Sequence, residues 1–270
     1  MIKTNFLKEK LKCGIPVIGT WMTIPSLTVA EIICSANLDF IITDGEHAPL
    51  IATDAQQIAA ACELHQISPV ARVRGVNDPA FQQYLDSGFH CIQVPNVESA
   101  LDVRKAANLS KYPPLGTRGF SPFTRSGNYG GCDLGIYTNR ANENTLLAIH
   151  IECLQAIQTI DEILLSDELD IVFVGIFDIS QSLGIPGDIE NPLVINCLRA
   201  LTSKILAAGK VPGTIVTNMT QVRTALEMGI RYLTYSVDCS VLQRSYRDMY
   251  VSFEKQLKDL GLISQFRFSH

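Results

Sequence analysis

The stretch Phe40-Ile41-Ile42-Thr43-Asp44-Gly45-Glu46-His47-Ala48-Pro49 is an apolar run that ends abruptly in two carboxylates and a histidine, and Pro49 then stops regular structure. A buried strand that delivers polar groups to its C-terminal end is the arrangement that α/β barrels use for active sites. His47 can exchange a proton near neutral pH. Asp44 lies three residues earlier, within reach of the imidazole through a turn, which makes a candidate base with an orienting carboxylate. Alone the signal is weak, because an isolated histidine is more often structural or at the surface.

Working outward, short apolar or β-branched runs recur at Pro16–Trp21, Phe40–Thr43, Pro69–Val73, Cys91–Val94, Leu146–Ile151, Ile171–Val174, Pro212–Val216 and Tyr232–Ser236. Helical spacing separates most of them, at Ile51–His65, Pro79–Ser87, Ser99–Leu109, Leu154–Leu165, Pro192–Ala208 and Met219–Met228. A last periodic run, Val241–Leu260, follows the cap-like cluster Asp238-Cys239-Ser240. Alternation of strand and helix predicts a parallel sheet. Eight such units favour closure into a (β/α)8 barrel over an open doubly wound sheet, and no GxGxxG follows the first strand.

The chain has 270 residues, 47% of them hydrophobic, and no linker interrupts it. The expectation is one barrel domain over residues 1–270. A net charge of −5 without any basic run excludes a general nucleic-acid binder. The eight cysteines form no CxxC pair and sit mostly in apolar segments, so they read as reduced thiols. The first residues carry no apolar core with a cleavage site, and no segment approaches the ~18 apolar residues of a membrane span. A soluble, cytoplasmic protein is expected.

In a barrel the groups ending the strands converge on one face: Trp21, Asp44 to His47, Arg72 or Arg74, Glu152, Asp178, and Ser236 to Asp238. Glu152 and Asp178 end adjacent predicted strands. Two carboxylates there would repel unless a cation lay between them, and hard oxygen ligands suit Mg²⁺ or Mn²⁺. The alternative is that each caps a following helix. Arg72 ends Pro69-Val70-Ala71-Arg72-Val73 and could hold a carboxylate or a developing enolate through paired hydrogen bonds. Arg74 would point to the same side of an extended chain, so both stay open, as does a plain surface ion pair. Lys111–Asn144, rich in proline and glycine, is the longest stretch without periodicity. It reads as a functional loop rising from the catalytic face between the fourth and fifth strands, with Arg118 and Arg125 as recognition cations. Backbone N–H groups near Gly175–Asp178, if they open a short helix, would receive a substrate carboxylate.

Taken in order, Asp44-Gly45-Glu46-His47-Ala48-Pro49, Asn77-Asp78-Pro79, Val94-Pro95, Tyr112-Pro113-Pro114-Leu115-Gly116-Thr117-Arg118-Gly119, Ile151-Glu152 and Gly175 to Ser180 resemble the HpcH/HpaI aldolase/citrate lyase family, the class II metal-dependent pyruvate aldolases, over nearly the whole chain. The resemblance implies a (β/α)8 TIM barrel of the phosphoenolpyruvate/pyruvate type, in a trimer or hexamer whose last helix, here Val241–Leu260, is exchanged between subunits. It implies Glu152 and Asp178 as ligands of a divalent cation (Mg²⁺ or Mn²⁺, with Co²⁺ possible), His47 as the general base and Asp44 as its partner. The arginine that polarises the pyruvyl oxygen falls within Val70–Arg74, and the preceding Pro-x-x places it at Arg72. Two departures stand out. Arg72-Val73-Arg74-Gly75-Val76-Asn77-Asp78 is one residue longer than the usual Arg-Val-Pro-Gly-Asn-Asp. Gly175-Ile176-Phe177-Asp178 replaces Gly-Pro-x-Asp, which gives the pyruvate site a bulkier floor.

The implied reaction cleaves or forms a C–C bond of a 4-hydroxy-2-oxo acid, with pyruvate stabilised as a metal-bound enolate and an aldehyde as the other partner. Trp21, Gly175 and Phe177 would bind substrate, with Arg118 and Arg125 facing the aldehyde. The rivals are a citrate-synthase-like condensation of a 2-oxo acid with an acyl-CoA, and a barrel that has lost catalysis.

Overall fold

Successive side chains of a strand point to opposite faces, so the short apolar runs can line a barrel on one side and carry helices on the other. The computed structural model describes residues 4–262. Its elements run α1 (Phe6–Lys12), β1 (Val17–Met22), α2 (Leu27–Ser35), β2 (Phe40–Asp44), α3 (Ala52–Leu64), β3 (Ser68–Arg72), α4 (Ala80–Ser87), β4 (Cys91–Val94) and α5 (Ala100–Ser110). They continue as α6 (Tyr137–Asn144), β5 (Leu146–Ile151), α7 (Leu154–Gln158), α8 (Ile160–Ile163), β6 (Ile171–Val174), α9 (Ile176–Ser182), α10 (Pro192–Ala207), β7 (Val211–Val216), α11 (Met219–Glu227), β8 (Tyr232–Val237) and α12 (Asp238–Asp259). The strands close in sequence order, β1 to β8, and β8 pairs with β1, all parallel. This is the expected (β/α)8 barrel, and each strand lies within a residue or so of its apolar run.

The barrel interior is apolar at its N-terminal end. Val17, Phe40, Val70, Cys91, Leu146, Ile171 and Tyr232 fill it, joined by Leu7 and Leu11 of α1. The helix α1 closes that end: the Leu7 N–H donates to Ser68 Oγ at 3.1 Å, and Asn5 Nδ2 donates to the carbonyls of His90 and Asn144 at 3.2 and 2.8 Å. A second apolar layer lies between strands and helices, with Ile92, Leu147, Ile149, Val172 and Val174 on its sheet side. The large rings of Phe40 and Tyr232 stack with centroids 4.4 Å apart. They fit because Gly19 and Gly213 face them: a Cβ on Gly19 would lie 2.5 Å from the Phe40 ring, and one on Gly213 would lie 2.7 Å from the Tyr232 ring.

Several elements differ from the sequence expectation. Leu27-Thr28-Val29-Ala30-Glu31-Ile32-Ile33-Cys34-Ser35 is apolar and β-branched nearly throughout, which masks a helical period, yet it forms α2. The expected helix Leu154–Leu165 breaks at Thr159 into α7 and α8. The largest correction concerns Lys111–Asn144. A helix that follows a barrel strand runs back to the strands' starting end. The segment after Ser110 therefore begins at the closed end, forms α6, and leads into the first residue of β5. It does not rise from the catalytic face. Lys111 Nζ donates to the carbonyls of Asn142 and Thr145, both at 2.7 Å. Arg118 pairs with Asp86 at 2.7 Å, and Arg125 bonds the Ser87 carbonyl and the Glu63 carboxylate, all groups in the last turns of α4 and α3.

The 22-residue α12 buries only Asp238 and exposes Tyr246, Met249, Tyr250 and Phe253. No helix among the described residues is long and apolar enough to cross a membrane.

Gly19→Ala should lower stability by about 1–3 kcal/mol, because the Phe40–Tyr232 stack and the β2 backbone leave no room for a methyl group. Urea unfolding reads this directly, and an unchanged midpoint would contradict the packing described.

Candidate active site

The alternation that turns Phe40 and Ile42 into the barrel continues through Asp44 and brings its carboxylate to the open mouth. The β2–β3 register sets Asp44 opposite Arg72, so two charged side chains leave neighbouring strands together. Arg72 Nε donates to Asp44 Oδ1 at 2.9 Å and Nη2 to Oδ2 at 2.5 Å, while Nη1 lies 3.1 Å from Glu46 Oε2. The guanidinium also stands 4.2 Å over the Trp21 ring, whose Nε1–H is held by Thr234 Oγ1 at 3.0 Å. Burial opposes ionisation of Asp44, but Arg72 and two backbone N–H groups outweigh it and hold its carboxyl below the usual carboxylate range.

Those two N–H groups correct the expectation for His47. Asp44 Oδ1 accepts the backbone N–H of Glu46 at 3.0 Å and of His47 at 3.1 Å, and so it shapes the turn rather than the imidazole. The His47 ring is largely exposed, and its Nε2 lies 3.7 Å from Glu46 Oε2. Arg72 and Arg74 are also separated. The strand stops at Arg72, alternation stops with it, and Arg74 turns aside to donate from Nε to the Gly45 carbonyl at 3.2 Å. Only Arg72 lines the mouth.

Glu152 follows β5 and Asp178 lies in the first turn of α9, which begins one residue after β6. Gly175 stands between them: a Cβ there would lie 3.1 Å from Glu152 Oε2 and 3.6 Å from Asp178 Oδ2. Both carboxylates thus border one small space that only a glycine leaves open. Burial works against ionisation of Glu152, yet the adjacent His150 imidazole, the Asn96 N–H at 2.6 Å and Arg72 bring its carboxyl down to about 2. Asp178 moves the other way, pushed up by burial and by the charge of Glu152. A pair of hard oxygen donors repelling each other across an open space fits a divalent cation. Among the described residues no group of three or more His, Cys, Asp or Glu side chains could hold a metal. The protein would therefore contribute these two carboxylates and leave the remaining positions to substrate and water.

The resulting cavity is about 260 Å³, with Trp21, His47, Arg72, Phe173, Phe177 and Asp178 among its walls. Trp21, Asp44, His47, Arg72, Glu152, Gly175, Phe177 and Asp178 are brought together as expected. Arg118 and Arg125 are not, for they lie at the closed end of the same chain. Sequence reasoning missed Gln93 and His150, which sit inside apolar strands. His150 is two residues before Glu152 and must share its face, which was the available signal. It also missed Asn96, whose positive φ of 56° turns its N–H onto Glu152 and its Nδ2 to within 3.0 Å of Glu46.

A family model described as HpcH/HpaI aldolase/citrate lyase matches residues 18–244. A 4-hydroxy-2-oxo-heptane-1,7-dioate aldolase of Salmonella arizonae is 32% identical over 263 residues, covering 95% of this chain and 97% of that protein. A crystal structure of an HpcH/HpaI aldolase/citrate lyase family protein from Burkholderia cenocepacia J2315 superposes with a TM-score of 0.87 at 28% identity, covering 93% of this chain and 100% of the other. The crystal structure of citrate synthase SbnG superposes with a TM-score of 0.85 at 26% identity, over 95% of this chain and 100% of that one.

The depressed Glu152 carboxyl contributes stability that is complete above about pH 4.5 and is lost as pH falls toward about 2. In metal-free protein, the stability gap between wild type and Glu152→Gln should shrink as pH is lowered from about 6 to about 3. Urea titrations at both pH values check this, and a gap that stays constant would contradict the assignment.

Proposed function

Because the chain belongs to the HpcH/HpaI aldolase/citrate lyase family, we propose that this aldolase/lyase-family enzyme is a metal-dependent class II aldolase that cleaves or forms 4-hydroxy-2-oxo acids from pyruvate and an aldehyde. The observation that carries the reading is the position of Arg72, locked by Asp44 and aimed into a cavity lined by Gly175 and Asp178, with the Glu152 carboxylate beside Gly175.

Glu152 and Asp178 would hold Mg²⁺ or Mn²⁺, with Co²⁺ also suited, and the cation supplies Lewis-acid stabilisation of charge on the keto oxygen. Arg72 has five N–H groups, of which three meet Asp44 and Glu46, so two remain to meet that same oxygen. No side chain caps α9, and its first-turn N–H groups beside Gly175 are placed to receive the substrate carboxylate. Trp21 and Phe173 keep water from the pyruvyl side, and Phe177 borders the entrance. In the cleavage direction His47 takes the proton from the 4-hydroxyl. The C3–C4 bond breaks, the aldehyde carbonyl forms, and the electron pair passes to the pyruvyl group as an enolate. Return of the proton to C3 gives pyruvate. Condensation runs the same steps in reverse.

The exposed apolar residues of α12 support exchange of this helix between subunits of a trimer or hexamer. The similarity to citrate synthase SbnG favours one second reading, in which the same enolate chemistry condenses a 2-oxo acid with an acyl-CoA.

Pyruvate release from a panel of 4-hydroxy-2-oxo acids, coupled to lactate dehydrogenase, should require Mg²⁺, Mn²⁺ or Co²⁺ and be abolished by EDTA. No release with any metal, together with acyl-CoA-dependent product formation, would support the synthase instead. His47→Ala should lower kcat by about 10²–10⁴-fold with the fold intact, and near wild-type turnover would remove His47 from its role.

A further inference from the structure

From the cavity wall, where His150 lies, a line of hydrogen bonds crosses the barrel interior. Tyr232 Oη donates to Gln93 Oε1 at 3.0 Å. Gln93 Nε2 lies 2.7 Å from His150 Nε2, and His150 Nδ1 lies 2.8 Å from Glu152 Oε2. All four side chains are buried.

The line has a direction. Burial keeps the Tyr232 hydroxyl protonated far above neutral pH, so it has a proton to give. Among the described residues its only hydrogen-bond acceptor is the Gln93 carbonyl. An amide that accepts through oxygen must present its NH₂ on the other side, and an NH₂ group only donates. His150 Nε2 must therefore be bare, and the ring proton resides on Nδ1, which donates to Glu152. The reversed amide would bring its oxygen to Nε2 and leave the Tyr232 O–H without an acceptor, a costly fault in a buried position. Glu152 asks for the same tautomer, because an ionised carboxylate can only accept from Nδ1. Phe173 stacks on the His150 ring at 4.8 Å and Trp21 meets it edge-on at 6.0 Å, contacts that fix the plane of the ring but not the site of its proton.

We propose that Tyr232 and Gln93 are positioning residues that hold the Nε2 edge of the His150 ring and through the ring orient Glu152. With the Asn96 N–H on Oε1 and the His150 N–H on Oε2, both oxygens of Glu152 are anchored, and the carboxylate keeps one plane beside Gly175. Only the last link, from Glu152 to a cation, rests on the proposed function.

Metal-free protein labelled with ¹⁵N at histidine tests the relay first, through long-range ¹H–¹⁵N spectra. Wild-type His150 should show Nδ1 protonated and Nε2 bare. Tyr232→Phe keeps the ring and its stack but frees the amide to turn, so an Nε2–H population should appear. Gln93→Leu removes the donor and offers no acceptor in its place, so Nδ1 should stay protonated on Glu152 while the ring loses its hold at Nε2. An Nε2–H tautomer in the wild type, or a wild-type pattern in Tyr232→Phe, overturns the proposal. The second arm titrates Mn²⁺ alone. Each variant should bind it about 10–100-fold more weakly, the range for lost support of a metal ligand. The double variant should bind no more weakly than Gln93→Leu, because the two residues act through one line. Fully additive losses would overturn the relay. Absence of Mn²⁺ binding by the wild type would instead count against the metal reading, and the tautomer spectra would still decide the relay.

Discussion

The open end of the barrel depends on the pairing of Asp44 with Arg72. Both side chains are nearly inaccessible, 3% and 12% exposed, and each would be expensive there alone. Removing one partner of such a pair typically costs about 3–5 kcal/mol, because the other charge is left stranded. The pair exists because β2 and β3 are in register at these two residues, so closure of the sheet and assembly of the site are one event. Asp44 then does three things at once. It holds the guanidinium in two places, ties down the N–H groups of the Glu46–His47 turn, and fixes Arg72 against Trp21. The histidine at the rim is positioned through its backbone, by the same carboxylate that aims the arginine.

Charge balance explains the rest of the arrangement. Around one guanidinium stand the carboxylates of Asp44, Glu46, Glu152 and Asp178. Arg72 answers the first two directly. Glu152 is stabilised by His150 and Asn96, and what remains falls on Asp178, whose carboxyl is pushed up by burial and by its neighbour. The site is thus short of positive charge at one identifiable place, beside Gly175. A divalent cation there would lower the Asp178 carboxyl and complete the balance.

Much of this was legible in the sequence because a parallel barrel writes its interior as short apolar runs. All eight strands followed from those runs, and Asp44, Glu152 and Asp178 followed from where the runs stop, with Arg72 near the end of its own run. Three features were less readable for physical reasons. The distance from Asp44 to His47 suits a side-chain contact, but the same spacing suits a carboxylate accepting two N–H groups of a tight turn, and the second arrangement satisfies more buried donors. Arg74 has the parity of Arg72 only while the strand lasts, and it ends at Arg72. Lys111–Asn144 was placed at the wrong end because it was counted from the strand before it. It follows a helix, and a helix returns the chain to the closed end.

The interior of the barrel changes character along its axis, and this accounts for the buried polar line. Near α1 the layer of Val17, Phe40, Val70, Leu146 and Ile171 needs no hydrogen bonds, and Leu7 and Leu11 seal it from water. At the mouth the charged groups Asp44, Arg72 and Asp178 stand among apolar walls such as Trp21 and Phe173. Gln93 and His150 occupy the boundary between these zones, both buried, with His150 reaching the cavity wall. Each is satisfied by the next, and the line has two ends: Tyr232, which donates from the apolar side, and Glu152, which accepts on the functional side. A polar group at this boundary cannot be neutral in its effect. Whatever it donates or accepts is transmitted to the carboxylate above it, which is why the layer beneath the cavity belongs to the site as much as the residues that line it.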